Sequence, residues 1–441
     1  MFRSPAVPSG YRSEESYSNM FRTILGSFSP LRSSNFRTYI LGQSLSLIGT
    51  FMQVTGQSWV VWQLSHSAGA LGLVAMLGSL PSLLLAPWVG SWADRLDRRR
   101  LLTATALSSA ILAFTLALIT YTGVAQLWHI FILATLLGIV TALDNPAQNA
   151  FLGDLGGVTE LHKSYTLNAI GIQVARMVGP AIAGWVIAAI GVSSTFWLNG
   201  LSYVAVIYSL YRVQAHQVRQ KRTSNPLQEF GDGLAFMKKQ PRIADLIAFT
   251  GIIVLLGFSN TQIFPAFVTS SLHGGPQALG MLLSSFGAGA LVSATLLVPM
   301  CQRVKRMGWM LTAVLVWSGF WFFSLSMSTS LGFAMVSLFF AAFGQPVAMT
   351  TAKAMIQLLS PATMWGRLLS VQIMVSTGLG PFASLGTGYG AQFLGAPLAI
   401  RGNSILIIVC SLLLLFLRPG LKGWEISVDS ARAPRSVPAE R

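Results

Sequence analysis

Charge is what this sequence has least of: 10% of its 441 residues are Asp, Glu, Lys or Arg, whereas soluble domains carry about 25%. With 53% apolar residues and a mean hydropathy of +0.62, too few polar groups remain to cover a water-facing surface of this size. A soluble enzyme, a disordered chain and a coiled coil are thereby excluded, and an integral membrane protein is expected. Cysteine is nearly absent; Cys301 and Cys410 support neither a disulfide framework nor a thiolate metal site. The five histidines form no cluster with acidic residues, so no catalytic centre, metal or cofactor is expected. No G-x-x-x-x-G-K-[ST] loop is present to hold ATP.

Acidic residues number 13 against 29 basic ones, a net charge of +16. In a soluble protein that excess would point to nucleic acid. In a membrane protein it follows from the accumulation of Lys and Arg in cytoplasmic loops, and the positions of the cations decide between the two.

What is present is a series of apolar runs of about 20 residues, long enough to cross a bilayer as helices. Twelve are predicted, near 36–64, 69–92, 101–122, 127–150, 167–190 and 195–211, then near 243–270, 277–299, 308–327, 331–351, 368–393 and 396–417. The expected organisation is a tail over 1–35, a six-helix bundle over 36–213, a linker over 214–242, a second bundle over 243–418 and a tail over 419–441. In the linker, Leu227, Phe230, Leu234 and Met237 recur at helical spacing and predict a short amphipathic surface helix. The first 35 residues carry Arg3, Arg12, Arg22 and Arg32 but no apolar run before a small-residue cleavage site, so a retained tail is expected. With that tail inside, every basic residue except Arg176 and Arg401 falls on the cytoplasmic face. The positive-inside rule therefore predicts two cytoplasmic termini, and the excess charge argues for topology and against nucleic acid.

The halves repeat. Ala70-Leu71-Gly72 returns as Ala278-Leu279-Gly280, Arg95 and Arg98 as Arg303 and Arg306, Asn145-Pro146 as Gln345-Pro346, and Gly179-Pro180 as Gly380-Pro381. The shared order, at offsets of roughly 200 residues, predicts a duplicated six-helix unit with a pseudo-two-fold axis along the membrane normal.

Between the second and third runs the chain reads Gly90-Ser91-Trp92-Ala93-Asp94-Arg95-Leu96-Asp97-Arg98-Arg99-Arg100. This resembles the signature loop of the major facilitator superfamily, and the position and twelve-run repeat resemble it too. The resemblance implies an all-α fold of two six-helix bundles, and a cytoplasmic gating latch built on Gly90, Asp94, Arg95 and Arg98. In that latch Asp94 is expected to face the N-terminal dipole of the eleventh span near Arg367, and Arg98 to pair with Asp144 of the fourth. Asp97 stands where many members have glycine, and the second-half copy has Gln302 opposite Asp94, which implies an asymmetric latch.

Gly171, Gly179, Pro180, Ala183 and Gly184 resemble the Gly-Pro motif of exporters in that superfamily; they equally suit a helix kink with small residues at a packing face, as do Gly380 and Pro381. Leu143-Asp144-Asn145-Pro146-Ala147, Asn168-Ala169-Ile170 and Ala175-Arg176-Met177-Val178-Gly179-Pro180 resemble the branch containing siderophore and drug efflux proteins. Gln148 replaces an arginine frequent there.

Ionisable groups inside spans need a reason, because each costs several kcal/mol unless paired or wet. Arg176 falls near the middle of the fifth run. It is read either as a cavity group for an anion such as a siderophore carboxylate or catecholate, or as a structural arginine bonded to carbonyls or Asp144. Asp144 is read as the latch partner or as a proton carrier. Gln43, Ser46, Thr50, Gln53 and Gln57 share one helical face. With Asn145, Asn260, Gln262 and Gln345 they are expected to line a central cavity, or else to serve helix packing.

The resemblance implies a monomeric secondary transporter of the inner membrane, exporting a small siderophore-like molecule by proton antiport and alternating access. Multidrug efflux is the nearest alternative, followed by solute import and a non-transporting sensor.

Overall fold

A computed structural model describes residues 29–213, 226–301, 304, 306–361, 364–418 and 421, without the side chains of 87, 90–95, 156–159, 162 and 226–230. The described chain is almost entirely helical, the arrangement that satisfies every backbone donor and acceptor within a bilayer.

After a 3-10 turn at Ser29–Arg32, the first half consists of α1 (Ser34–Ser65), α2 (Ala68–Arg95), α3 (Arg98–Tyr121), α4 (Leu127–Ile190) and α5 (Ser193–Arg212). The linker contains α6 (Pro226–Lys239). The second half opens with α7 (Pro241–Ile252), a π turn at Ile253–Gly257, a 3-10 stretch at Phe258–Ile263 and α8 (Phe264–Ser271). It continues with α9 (Pro276–Val292), a π turn at Ser293–Leu297, α10 (Val298–Cys301), α11 (Met307–Ser326), α12 (Leu331–Ala341) and α13 (Gly344–Leu359).

 The half closes, beyond α13 and its last residue Leu359, with α14 (Trp365–Leu394) and α15 (Ala396–Leu417).

Helix starts follow local chemistry. Ser33 caps α1 and Asp97 caps α3, the latter accepting from the Arg100 N–H at 2.9 Å. Proline stands in the first turn of α7, α8, α9 and α15, where its missing N–H is no loss.

Ten segments of the described chain are long and apolar enough to span a bilayer. They match ten of the twelve predicted runs. The places of the first and sixth runs are taken by α1 and α5, whose facing surfaces are polar. Gly42, Gly49 and Gly56 of α1 let it lie directly on Ser209, Asn199, Ser202 and Thr195 of α5.

The fourth and fifth runs merge into one helical segment, α4, of 64 residues. It is doubled back on itself: the Tyr165 hydroxyl donates to the Asn149 carbonyl at 2.9 Å, whereas sixteen residues of straight helix would separate them by about 24 Å. The bend is fastened to the N-terminal turn, where Ser29 donates to Glu160 at 2.5 Å and Lys163 donates to Ser29 at 2.8 Å.

The duplication is visible in the backbone. His66 (φ 47) ends α1 and His273 (φ 48) follows α8, while Gly191 (φ 90) and Gly395 (φ 87) end α4 and α14. Four of the five positive φ values among the described residues thus fall at corresponding breaks in the two halves, and Gly123 (φ 74), after α3, is the fifth.

The linker helix α6 lies against the second half. Leu234 and Met237 pack on the main core, and Gly233 sits against α14, where a Cβ would meet the Arg367 carbonyl oxygen at 2.8 Å. Leu227 and Phe230 lie outside the described side chains.

Two seams join the halves, both away from the 98–100 cluster. In one, α2 meets α14 so closely that a Cβ on Gly388 would lie 2.7 Å from the Gly72 Cα. In the other, α4 meets α9, and a Cβ on Gly184 would lie 2.7 Å from the Pro276 carbonyl oxygen. Small residues allow this backbone approach, and packing rather than hydrophobic exclusion holds helices together in lipid. Gly72→Leu and Gly184→Leu are expected to overpack these seams at a cost of about 1–3 kcal/mol each. Both should lower the melting temperature in detergent, whereas Gly380→Leu, with nothing within 4 Å of its Cβ position, should not; equal melting of all three variants would refute the seam.

Candidate functional site

At the end of the molecule bearing the basic cluster, Arg98 donates from one guanidinium nitrogen to both carboxylate oxygens of Asp154, at 2.7 and 2.8 Å. The two side chains are 10% and 5% exposed. This corrects the expected partner, Asp144. Antiparallel helices place the start of α3 level with the end of the first limb of α4, and Asp144 lies ten residues deeper, or roughly 15 Å along a helix. Asp154 was missed although that depth matching was available from the run boundaries. Gly90, Asp94 and Arg95, the other expected latch residues, have side chains outside the described set. Arg367, expected near Asp94, pairs with Asp232 of the linker helix at 3.3 Å, and Arg418 pairs with Asp245 at 3.5 Å.

Asp144 sits deeper, between α1, α3 and α5. Its carboxylate accepts from the Thr105 hydroxyl at 2.6 Å and from the Gln148 amide one turn on. Gln148 in turn accepts from the Gln43 amide of α1 at 3.1 Å. Gln148 thus places a neutral amide beside the acid. Close by, the Tyr39 hydroxyl is buried without a hydrogen-bond partner.

Arg176 lies on the second limb of α4. Its guanidinium carbon is 5.6 Å from the ring centre of Phe51 on α1 and 5.9 Å from that of Phe258 in the 3-10 stretch after α7. Gly287 of α9 backs it, since a Cβ there would meet the Arg176 carbonyl oxygen at 2.7 Å. The cation therefore stands between corresponding helices of the two halves, held by ring faces. Among the described residues no carboxylate lies at salt-bridge distance from it, so the bond to Asp144 entertained from the sequence is not made. Phe51 and Phe258 carried no sequence signal, being two of 26 phenylalanines.

The polar stripe on α1 divides on inspection. Gln43, Ser46 and Gln53 are buried, and Gln53 accepts from Asn199 of α5 at 2.7 Å. Gln53 therefore serves packing inside the first half and is not a cavity group. Asn260 is corrected in the same way: it is fully buried, donates to the Leu256 carbonyl and accepts from Asn403 at 2.7 Å. Asn403 also donates to Thr387, which donates to Ser259 at 2.9 Å. This quartet holds the π and 3-10 break after α7, where backbone geometry departs from the α-helix. Gln57 and Gln345 are half-buried and Asn145 is exposed; Gln345 keeps a side-chain oxygen without a partner.

Of the small-residue positions, Gly179 lies against α1, where a Cβ would meet the Phe51 Cβ at 2.7 Å. Pro180 is buried at the α4–α9 seam beside Gly184, Pro381 is buried, and Gly380 has open space around it.

The pairing at the basic end is testable by double-mutant cycles. Removing Arg98 alone leaves a buried carboxylate and is expected to cost about 3–5 kcal/mol. Coupling to Asp154 should be large, and coupling to Asp144 within about 0.5 kcal/mol of zero. Denaturation in detergent that couples Arg98 to Asp144 would reverse the assignment.

The transmembrane secretion effector family matches residues 25–437. The chain is 27% identical over 256 residues to the staphyloferrin A transporter of Staphylococcus aureus, covering 58% of this chain and 64% of that one. It is 28% identical over 291 residues to the multidrug efflux pump Tap of Mycobacterium tuberculosis, covering 62% and 68%. The staphyloferrin A transporter is thus matched over less than two thirds of its length. In fold, the chain is similar to a bacterial homologue of the human lysosomal transporter Spinster, solved in an inward-facing, unoccupied conformation. That likeness has a TM-score of 0.67 at 15% identity and covers 91% of this chain and 99% of that one. From its match over nearly its whole length, its helical repeat and its signature loop, the chain belongs to the transmembrane secretion effector family of major facilitator transporters.

Proposed function

We propose that this transporter exports a small, anionic, siderophore-like molecule across the cytoplasmic membrane by proton antiport. The observation that carries this reading is Arg176, a cation between Phe51 and Phe258 with no carboxylate at salt-bridge distance among the described residues. A cation in hydrocarbon without a counter-charge is costly unless it faces water or a ligand. A guanidinium flanked by rings matches an aromatic or carboxylate-bearing anion, with charge-assisted hydrogen bonds to its oxygens and ring contacts around it. The 27% identical relative named as a staphyloferrin A transporter supports the same substrate class.

In this reading the two halves are six-helix bundles, and the basic face, with both termini, lies in the cytoplasm. The glycine seams then close the outer half of the molecule, which leaves the site facing inward. The latch residues Gly90, Asp94, Arg95 and Arg98, with Asp154 in place of Asp144, would close the opposite side when the bundles rock. Gln57, Asn145 and Gln345 are the remaining polar candidates for the cavity. The protein acts as a monomer with protons as the coupling ion.

A second reading, multidrug efflux, draws on the relative named as the pump Tap and on the aromatic walls around Arg176. Proteoliposome transport separates them. Arg176→Gln is expected to reduce staphyloferrin A export about tenfold or more, the equivalent of a lost charge-assisted hydrogen bond of about 1.5–3 kcal/mol. Transport of the cation ethidium should not fall with it. Unimpaired staphyloferrin A export by the variant would sink the anion site, and ethidium transport by the wild type would favour the second reading.

A further inference from the structure

Asp144 is left over once Arg98 is assigned to Asp154. It is a carboxyl group inside a membrane span, and it makes no ion pair among the described residues. The groups around it are the Thr105 hydroxyl from α3, the Gln148 amide from its own helix, and two tyrosines. Those are Tyr39 of α1 and Tyr203 of α5, the titratable groups within its electrostatic reach. Thr50, Asn199 and Ser109 lie around the Tyr203 hydroxyl. Tyr39 is 1% exposed and its hydroxyl has no hydrogen-bond partner among the described residues.

An orphaned buried hydroxyl costs about 1–3 kcal/mol, and an unpaired buried carboxylate costs more. Both penalties disappear if the two groups bond. A carboxylate has about four lone-pair sites, and Thr105 and Gln148 use two of them. A protonated carboxyl has an O–H to donate, and the Tyr39 oxygen is free to accept it. The site can therefore hydrogen-bond Asp144 in either protonation state.

We propose that Asp144 binds and releases the proton exchanged for the anion, with Tyr39 as its alternating hydrogen-bond partner, and that α1 carries the change to Arg176. The step balances simply. One proton from water adds to a carboxylate oxygen to give the neutral acid, and the same proton returns to water on the other face; no other bond is made or broken. When the acid forms, the Gln148 amide loses a charged acceptor, and the Gln148–Gln43 bond that seats α1 on α4 weakens with it. Twelve residues along α1 from Tyr39, or roughly 18 Å, stands Phe51, which packs on Gly179 and faces the Arg176 guanidinium. One rigid helix therefore touches the proton group at one end and the anion group at the other, and each can bias the equilibrium of the other.

This rests on the antiport reading above, and the test keeps the two apart. In proteoliposomes with staphyloferrin A and ethidium as probes, wild-type transport should require a pH gradient. Asp144→Asn should lose gradient-driven accumulation by about tenfold or more, and Asp144→Glu, which restores a carboxyl, should recover it. Infrared difference spectra of the same protein, which need no cargo, should show a carboxylic-acid C=O stretch that titrates with pH. That band should vanish in Asp144→Asn and shift in Tyr39→Phe. A wild type indifferent to the gradient would overturn antiport itself. A wild type that needs the gradient alongside an Asp144→Asn variant that needs it equally, or an unaltered infrared band in that variant, would overturn the role of Asp144 alone.

Discussion

A charge in a hydrocarbon slab must find a counter-charge, water or a ligand, and this constraint orders everything polar in the molecule. At the basic end Arg98 and Asp154 satisfy each other. Farther along the two limbs of α4 lie an acid and a base, Asp144 and Arg176, and they are kept apart. Had they paired, the molecule would hold a neutral salt bridge and nothing to exchange. Asp144 instead leans on an alcohol and an amide, and Arg176 on two phenyl rings. Both are compromises that stop short of neutralisation, and a transporter needs groups that remain available.

The folded-back helix α4 and the glycine-spaced α1 make these two groups parts of one body. Asp144 and Arg176 belong to the two limbs of α4, and α1 lies along both through Gln43 and Phe51. The second half contributes Phe258, presented from a stretch where the helix changes from π to 3-10 winding. The asymmetry of the halves is chemical: in the second, Gln345-Pro346 replaces Asn145-Pro146 and Thr377 stands opposite Arg176 in the repeat.

Much of the fold was legible in the sequence because a bilayer demands runs of fixed length, and ten of twelve appear as helices that meet that demand. The two others, α1 and α5, are helical but bury polar faces against each other. Periodicity placed Gln43, Ser46, Gln53 and Gln57 on one face of α1 correctly. It had no way to say which neighbour that face meets, and Gln53 meets Asn199 instead of a cavity. Asn260 misled for the same reason, its partner Asn403 lying 143 residues away. Asp144 and Asp154 were separable in principle by depth alone, whereas Phe51 and Phe258 gained meaning only from their distance to Arg176.

The two ends of the molecule are held by different forces. At the glycine seams, Gly72, Gly184, Gly280 and Gly388 meet backbone atoms of the facing helix. The opposite end has ion pairs, Asp232 with Arg367 and Asp245 with Arg418, whose basic partners are partly open to solvent. Salt screens the latter and leaves the former untouched. Ionic strength at the basic end therefore loosens the ties of the linker and tail to the second half without altering the glycine seams at the other end.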